Sequence, residues 1–103
     1  MPAWVELDLG DVFELHSIKL GSEHTPYWND RAPSEFSVRV RKDTAGEWRA
    51  ALYHSPSKGA IHGTTEFTFP AIEARYVHVD FTATEGGDLV RIDELEVYGR
   101  RIP

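Results

Sequence analysis

The chain has 103 residues, 17 of them acidic against 11 basic, for a formal net charge of −6, and it contains no cysteine. That length gives room for one domain over residues 1–103 with a single core, and the missing cysteines exclude a disulfide frame, a thiolate metal site and a Cys nucleophile. The acidic balance repels phosphate backbones and anionic lipid, so neither nucleic acid nor a membrane is an expected partner.

Period-two alternation recurs along the whole chain, with turn residues between the segments and no helical periodicity longer than a turn. In Trp4 to Leu9 the apolar set is Val5, Leu7 and Leu9, with Glu6 and Asp8 facing away, and Gly10-Asp11 reads as a closing turn. The next segment, Val12 to Gly21, puts Phe13 and Leu15 on one parity and Ile18 and Leu20 on the other, so a bulge near His16-Ser17 is required. Phe36, Val38 and Val40 alternate with Ser37, Arg39 and Arg41, and Asp43 to Gly46 reads as a hairpin turn into Trp48, Ala50 and Leu52.

Residues 54–63 form a Pro/Gly/Ser loop, after which Phe67 and Phe69 alternate with Glu66 and Thr68 until Pro70 is expected to stop the strand. Val77, Val79 and Phe81 define a further strand. After a loop over 83–90, Leu95 and Val97 point one way in the last strand, with Glu94, Glu96 and Tyr98 on the other face and a second bulge expected at Asp93-Glu94. The sum is an all-β chain, an antiparallel β-sandwich or barrel of about seven to eight short strands.

The segment from Ser22 to Pro33 holds Glu23, His24, Tyr27, Trp28, Asn29, Asp30 and Arg31 between two strands. Two aromatics in so polar a stretch cannot easily both be core. A flat aromatic face stacks on the C–H patch of a pyranose while planar polar groups take its hydroxyls, so the mixture suits a sugar. The alternative is a lid, in which Tyr27 or Trp28 covers the end of the core and Arg31 pairs with Asp30 or Glu35.

Trp4 and Trp48 fall on strand patterns and read as core or sheet-face residues. The histidines at 16, 24, 54, 62 and 78 lack metal-ligand spacing and read as scattered surface residues; only His54 and His62, flanking one loop, could meet in space. Glu94 and Glu96 share a strand face with no second wall to make a glycosidase cleft. No Ser-His-Asp signal or phosphate-cradling glycine loop occurs, so no enzyme, no cofactor and no metal centre is expected.

Three stretches taken in order carry a resemblance: Trp4 to Gly10 followed by Ile18-Lys-Leu20, Phe36-Ser-Val38 with Gly46-Glu-Trp48, and Ala74 to Val79 leading to Ile92 through Gly99. Together they resemble the discoidin, or coagulation factor V/VIII type C, family and its relatives in carbohydrate-binding module family 32. The resemblance implies a galactose-binding-like jelly roll whose end loops bind a terminal sugar, with no catalysis, in an extracellular or periplasmic setting.

It also implies ligand roles for Asn29 and Arg31, with His24 near the first polar ligand and Tyr27 or Trp28 as the stacking ring. The usual aromatic of the loop before the last strand has no counterpart in 84–89. The family's acidic calcium loop, ahead of the tryptophan strand, also has none. Asp93 and Glu94 match half of that calcium site, so no structural calcium is expected unless another segment completes it, because the ion takes about six to eight oxygens. The same comparison leaves an exposed edge beside residues 4–9, which favours self-association or docking on a parent protein. The non-sugar alternative is a structural or protein-interaction sandwich, an accessory domain of a larger enzyme.

Overall fold

The computed structural model describes residues 3–22, 32–61, 63–84, 90, 92 and 94–102. Five antiparallel strands, β1 (Ala3–Ser22), β2 (Pro33–Arg41), β3 (Arg49–His54), β4 (Gly63–Thr84) and β5 (Glu94–Arg101), join in the order β3-β2-β4-β1-β5. A 20-residue strand held straight would reach about 66 Å at 3.3 Å per residue, yet the longest dimension of the molecule is 45 Å. β1 must therefore bend, and β4 bends with it.

The bends divide the ladder into two layers. Residues 3–8 of β1 pair with 76–81 of β4, which continues into β2 and then β3. Residues 13–22 of β1 pair with 63–74 of β4 on one side and with β5 on the other. Phe36 of the first layer meets Phe67 of the second edge-to-face at 5.4 Å, so the layers face one another across the core. Leu15, Ile18, Leu20, Val38, Val40, Val77, Val79 and Phe81 are buried between them. This is the antiparallel β-sandwich that the alternation requires.

Two expected strand ends are absent. Gly10-Asp11 does not end the first strand, and Pro70 does not end the strand of Phe67 and Phe69; both lie inside longer strands, Gly10 at the corner between the layers and Pro70 at a bulge within the second layer. Dividing β1 at Gly10 and β4 at Pro70 turns five strands into seven ladder segments, within the seven to eight that the pattern suggests. Pro70 is tolerated because it sits opposite the register shift between Leu15 and Ser17, where the ladder is broken and no N–H is needed. That shift is the bulge demanded by the parity change near His16-Ser17.

At the corner Gly10 takes a positive φ of 85°, which glycine adopts without steric cost. Asp8 pins the bend. Its carboxylate accepts Gly10 N–H at 2.9 Å and the Arg75 guanidinium at 2.8 and 3.1 Å. Another correction concerns the hairpin: Arg39 faces Ala50 and Val38 faces Leu52, so a bulge at Ala51 breaks the expected common parity of Ala50 and Leu52, and Trp48 lies just ahead of β3. The expected bulge at Asp93-Glu94 lies partly outside the described residues.

Gly99 of β5 faces Leu15, and a Cβ there would sit 2.3 Å from the Glu14 carbonyl oxygen. Gly99→Ala should push β5 off β1 and cost about 1–3 kcal/mol, read as a lower urea midpoint by circular dichroism. Asp8 has its pKa lowered from 3.8 to about 2, first by Arg75 and then by Gly10 N–H. Because the folded value lies below the unfolded one, the stability it contributes is complete above pH 3.8 and fades as the pH falls through about 2. Carboxyl NMR should show the Asp8 midpoint near 2 and its return toward 3.8 in Arg75→Met.

Candidate functional site

The strand ends collect three connections at one end of the sandwich. β1 ends at Ser22 opposite Gly63, Gly21 faces Glu94, and Pro33 faces Thr84. The Pro33 carbonyl accepts Ile61 N–H at 2.9 Å, which ties the 55–61 segment to the start of β2. The roots of the connections 23–31, 55–62 and 85–93 thus form one rim. Ser22, Ala32 and Pro33, which bracket the first of these, are all fully buried, so that connection leaves from a rigid base.

His24, Tyr27, Trp28, Asn29 and Arg31, the residues expected to hold a sugar, lie outside the described residues, as do His62 and Asp93. Of the residues implied for half a calcium site only Glu94 is described. One carboxylate falls far short of the about six to eight oxygens calcium takes, and the described residues contain no group of three His, Cys, Asp or Glu suited to a metal.

His54 corrects the surface reading of the histidines. It is 5% exposed, stacks on Phe36 at 5.0 Å and places Nε2 2.7 Å from the Gly59 carbonyl oxygen. Its N–H donating to that oxygen closes the turn Pro56–Lys58 against the core, and Gly59 absorbs the reversal with a φ of 91°. The ring is therefore a structural prop beneath the rim. The pattern offered a clue, since His54 shares parity with Leu52 on an inward-facing strand.

His78 is likewise no loose surface residue. Nδ1 lies 3.1 Å from Glu6 and Nε2 3.0 Å from Asp80, while Trp4 stacks on the ring at 5.2 Å and Trp48 tilts against it at 5.5 Å. Trp4 is a sheet-face residue, as expected, but 65% exposed. Asp80 also takes Arg39 at 2.7 Å; burial raises its pKa, but the His78 and Arg39 hydrogen bonds and charges outweigh that and leave it below the usual carboxylate range. Arg41 lies over Trp48 and Lys42 pairs with Glu73 at 3.1 Å, so the Arg39, Arg41 and Lys42 cluster is spent within the sheet face.

Nearer the rim, Glu35 accepts Tyr53 Oη–H at 2.5 Å and Thr82 Oγ1–H at 2.7 Å, and the two donors hold its pKa below the ordinary value. Glu96 is engaged by Tyr98 on the same face of β5, with no opposing carboxylate wall among the described residues.

The family described as the F5/F8 type C, NedA-like, galactose-binding domain matches residues 1–79. The chain belongs to this galactose-binding-like family. Among solved structures, chitosan-binding module 2 of a Paenibacillus sp. IK-5 chitosanase/glucanase, in complex with chitotriose, shares 23% identity over 93% of this chain and 69% of its own, with a TM-score of 0.75. A carbohydrate-binding module from Clostridium perfringens, in complex with GalNAc-β-1,3-galactose, shares 16% identity over 96% of this chain and 67% of its own, at 0.78. A family 89 glycoside hydrolase from the same organism matches 95% of this chain with 10% of its own length, at 21% identity and 0.77. Among curated protein sequences none matches. The structural likenesses show the galactose-binding-like fold.

Removing the His54 prop tests the rigidity of the rim. His54→Phe keeps the stack on Phe36 and loses the Gly59 hydrogen bond, so it should cost about 1 kcal/mol and speed amide hydrogen exchange at Gly59 and Ile61 without disturbing the β1–β4 ladder.

Proposed function

We propose that this galactose-binding-like domain is a non-catalytic carbohydrate-binding module, taking a terminal sugar at the rim where the connections 23–31, 55–62 and 85–93 converge. The convergence of those three roots on one buried base is the observation that carries the reading. Tyr27 or Trp28 stacks on the sugar ring, and His24, Asn29 and Arg31 take its hydroxyls.

Three further facts support this assignment. The sandwich neighbours include modules solved with chitotriose and with GalNAc-β-1,3-galactose. The first-layer sheet face near His78 and Arg39 is filled with mutually paired groups, which leaves that face few donors and acceptors for a ligand. Both Glu35 oxygens already accept hydroxyl donors, which weakens one of the two anchors that a lid made by Tyr27, Trp28 and Arg31 would use. The module reading extends over residues 1–103 as one unit. A place inside a larger carbohydrate-active enzyme accords with the hydrolase of which the matched domain is a tenth.

Affinity for a single sugar is expected to be weak, because one stacked ring and a few hydrogen bonds offset little more than the cost of association. The test is an NMR titration with galactose, with GalNAc-β-1,3-galactose and with chitotriose. The expected result is saturable shifts in residues 22–33 with at least one of them, reduced about tenfold or more by Trp28→Ala or Tyr27→Ala, a loss of roughly 1.4 kcal/mol or more. Shifts in 22–33 with none of the three sugars would refute the proposal, and a change in oligomeric state of Trp28→Ala in their place would favour protein docking.

A further inference from the structure

Three aromatic side chains are exposed among the described residues, and two of them already have a partner across the ring: Trp4 stacks on His78, and Tyr98 lies beneath the Lys19 ammonium. Tyr53 differs. It is 56% exposed, and among the described residues neither a ring nor a cation covers its face.

The edge of the Tyr53 ring, by contrast, is fixed. Tyr53 lies opposite Ser37 in the ladder of β2 and β3, yet its hydroxyl donates to Glu35 Oε2 at 2.5 Å, two positions nearer the rim, so the ring leans toward the rim. Glu35 is held in turn by Thr82, whose hydroxyl donates to Oε1 at 2.7 Å. The Tyr53 bond keeps the Glu35 carboxyl below its ordinary pKa and the Tyr53 phenol above its own, so donor and acceptor persist at neutral pH. A ring immobilised in this way has lost its rotamer freedom before a ligand arrives, which removes that cost from binding.

The three residues also stand at the three roots of the rim. Glu35 comes two residues after Pro33 at the start of β2, Tyr53 directly before His54 at the end of β3, and Thr82 two residues before Thr84 at the end of β4. Phe36, His54 and Phe81 beside them are buried, so the cluster is a ledge on the outer face of the first layer, continuous with the rim. At 3.3 Å per residue Glu35 lies about 7 Å along β2 from Pro33. A sugar seated among the loops therefore leaves the Tyr53 face to the sugar linked to it.

We propose that Tyr53 is a second stacking platform, taking the next pyranose of a glycan chain whose terminal sugar occupies the rim, so that the domain prefers oligosaccharides to single sugars. This rests on the rim reading above. A pyranose suits the ledge because its C–H face packs on an open aromatic face. An ionised carboxylate offers about four acceptor sites, and two hydroxyl donors leave Glu35 able to accept a sugar hydroxyl beside the ring. The same carboxylate disfavours an anionic occupant.

The test titrates GalNAc-β-1,3-galactose and chitotriose into the isotope-labelled chain, each beside its own terminal monosaccharide. With at least one oligosaccharide the Tyr53 ring resonances should move in step with residues 22–33, they should stay still with its monosaccharide, and the oligosaccharide should bind about fivefold tighter. Tyr53→Ala should bring that ratio close to one, and Tyr53→Phe, which keeps the ring but frees it from Glu35, should retain part of it. Shifts in 22–33 without movement of Tyr53 would overturn this inference and leave the rim reading standing, whereas shifts nowhere would overturn both. A Tyr53→Ala loss that falls equally on both ligands would mark a structural prop and overturn the inference too, as would Tyr53→Phe behaving like Tyr53→Ala.

Discussion

Two strands too long for the molecule must turn corners, and the architecture depends on how the backbone survives those turns. The ladder breaks where β1 changes layers between Asp8 and Phe13, and again at a bulge within the second layer between Leu15 and Ser17. The first break is bridged by side-chain chemistry: Asp8 gathers Gly10 N–H and the Arg75 guanidinium at the bend. The second is a register slip opposite Pro70, a residue that has no donor to lose. With these corners in place, the two long strands contribute to both layers and hold them in one register.

That construction places everything else. Since β1 and β4 run through both layers, their far ends and the ends of β2, β3 and β5 arrive together at one rim. His54 beneath the 55–61 segment and the buried Ser22, Ala32 and Pro33 make that rim a firm base. Among the described residues the same construction leaves the first half of β1 as an edge, because β5 follows β1 only after the corner. A shared rim and, among the described residues, an edge paired on one side are thus two consequences of one folding constraint.

The outer face of the first layer shows why exposed aromatics and charges need not mark a binding site. Trp4 and Trp48 both lean on His78, whose nitrogens face Glu6 and Asp80, and Asp80 in turn holds Arg39. Glu6 and Arg39 answer a neighbour on the adjacent strand, as cross-strand pairs do, while His78 and Asp80 meet along one strand. Surface pairs of this kind add little stability singly, but they occupy the donors and acceptors that a ligand would need.

Sequence by itself determined the class of fold, because a period of two in the side chains can bury one face only in a sheet, and it located the bulge at His16-Ser17, because a parity change admits no other explanation. It also singled out the 22–33 segment by its composition, and the family match over residues 1–79 agrees with the resemblance carried by Trp4 to Gly10 and Ala74 to Val79. Tertiary structure decided that Gly10 is a corner and Pro70 a bulge and that neither is an end, since a turn residue looks the same whether a strand stops, bends or slips register. Tertiary structure also decided that His54 is buried and His78 clamped: both positions depend on pairings of residues 18 to 74 apart in sequence, such as Phe36 with His54 and Trp4 with His78, which no local pattern encodes.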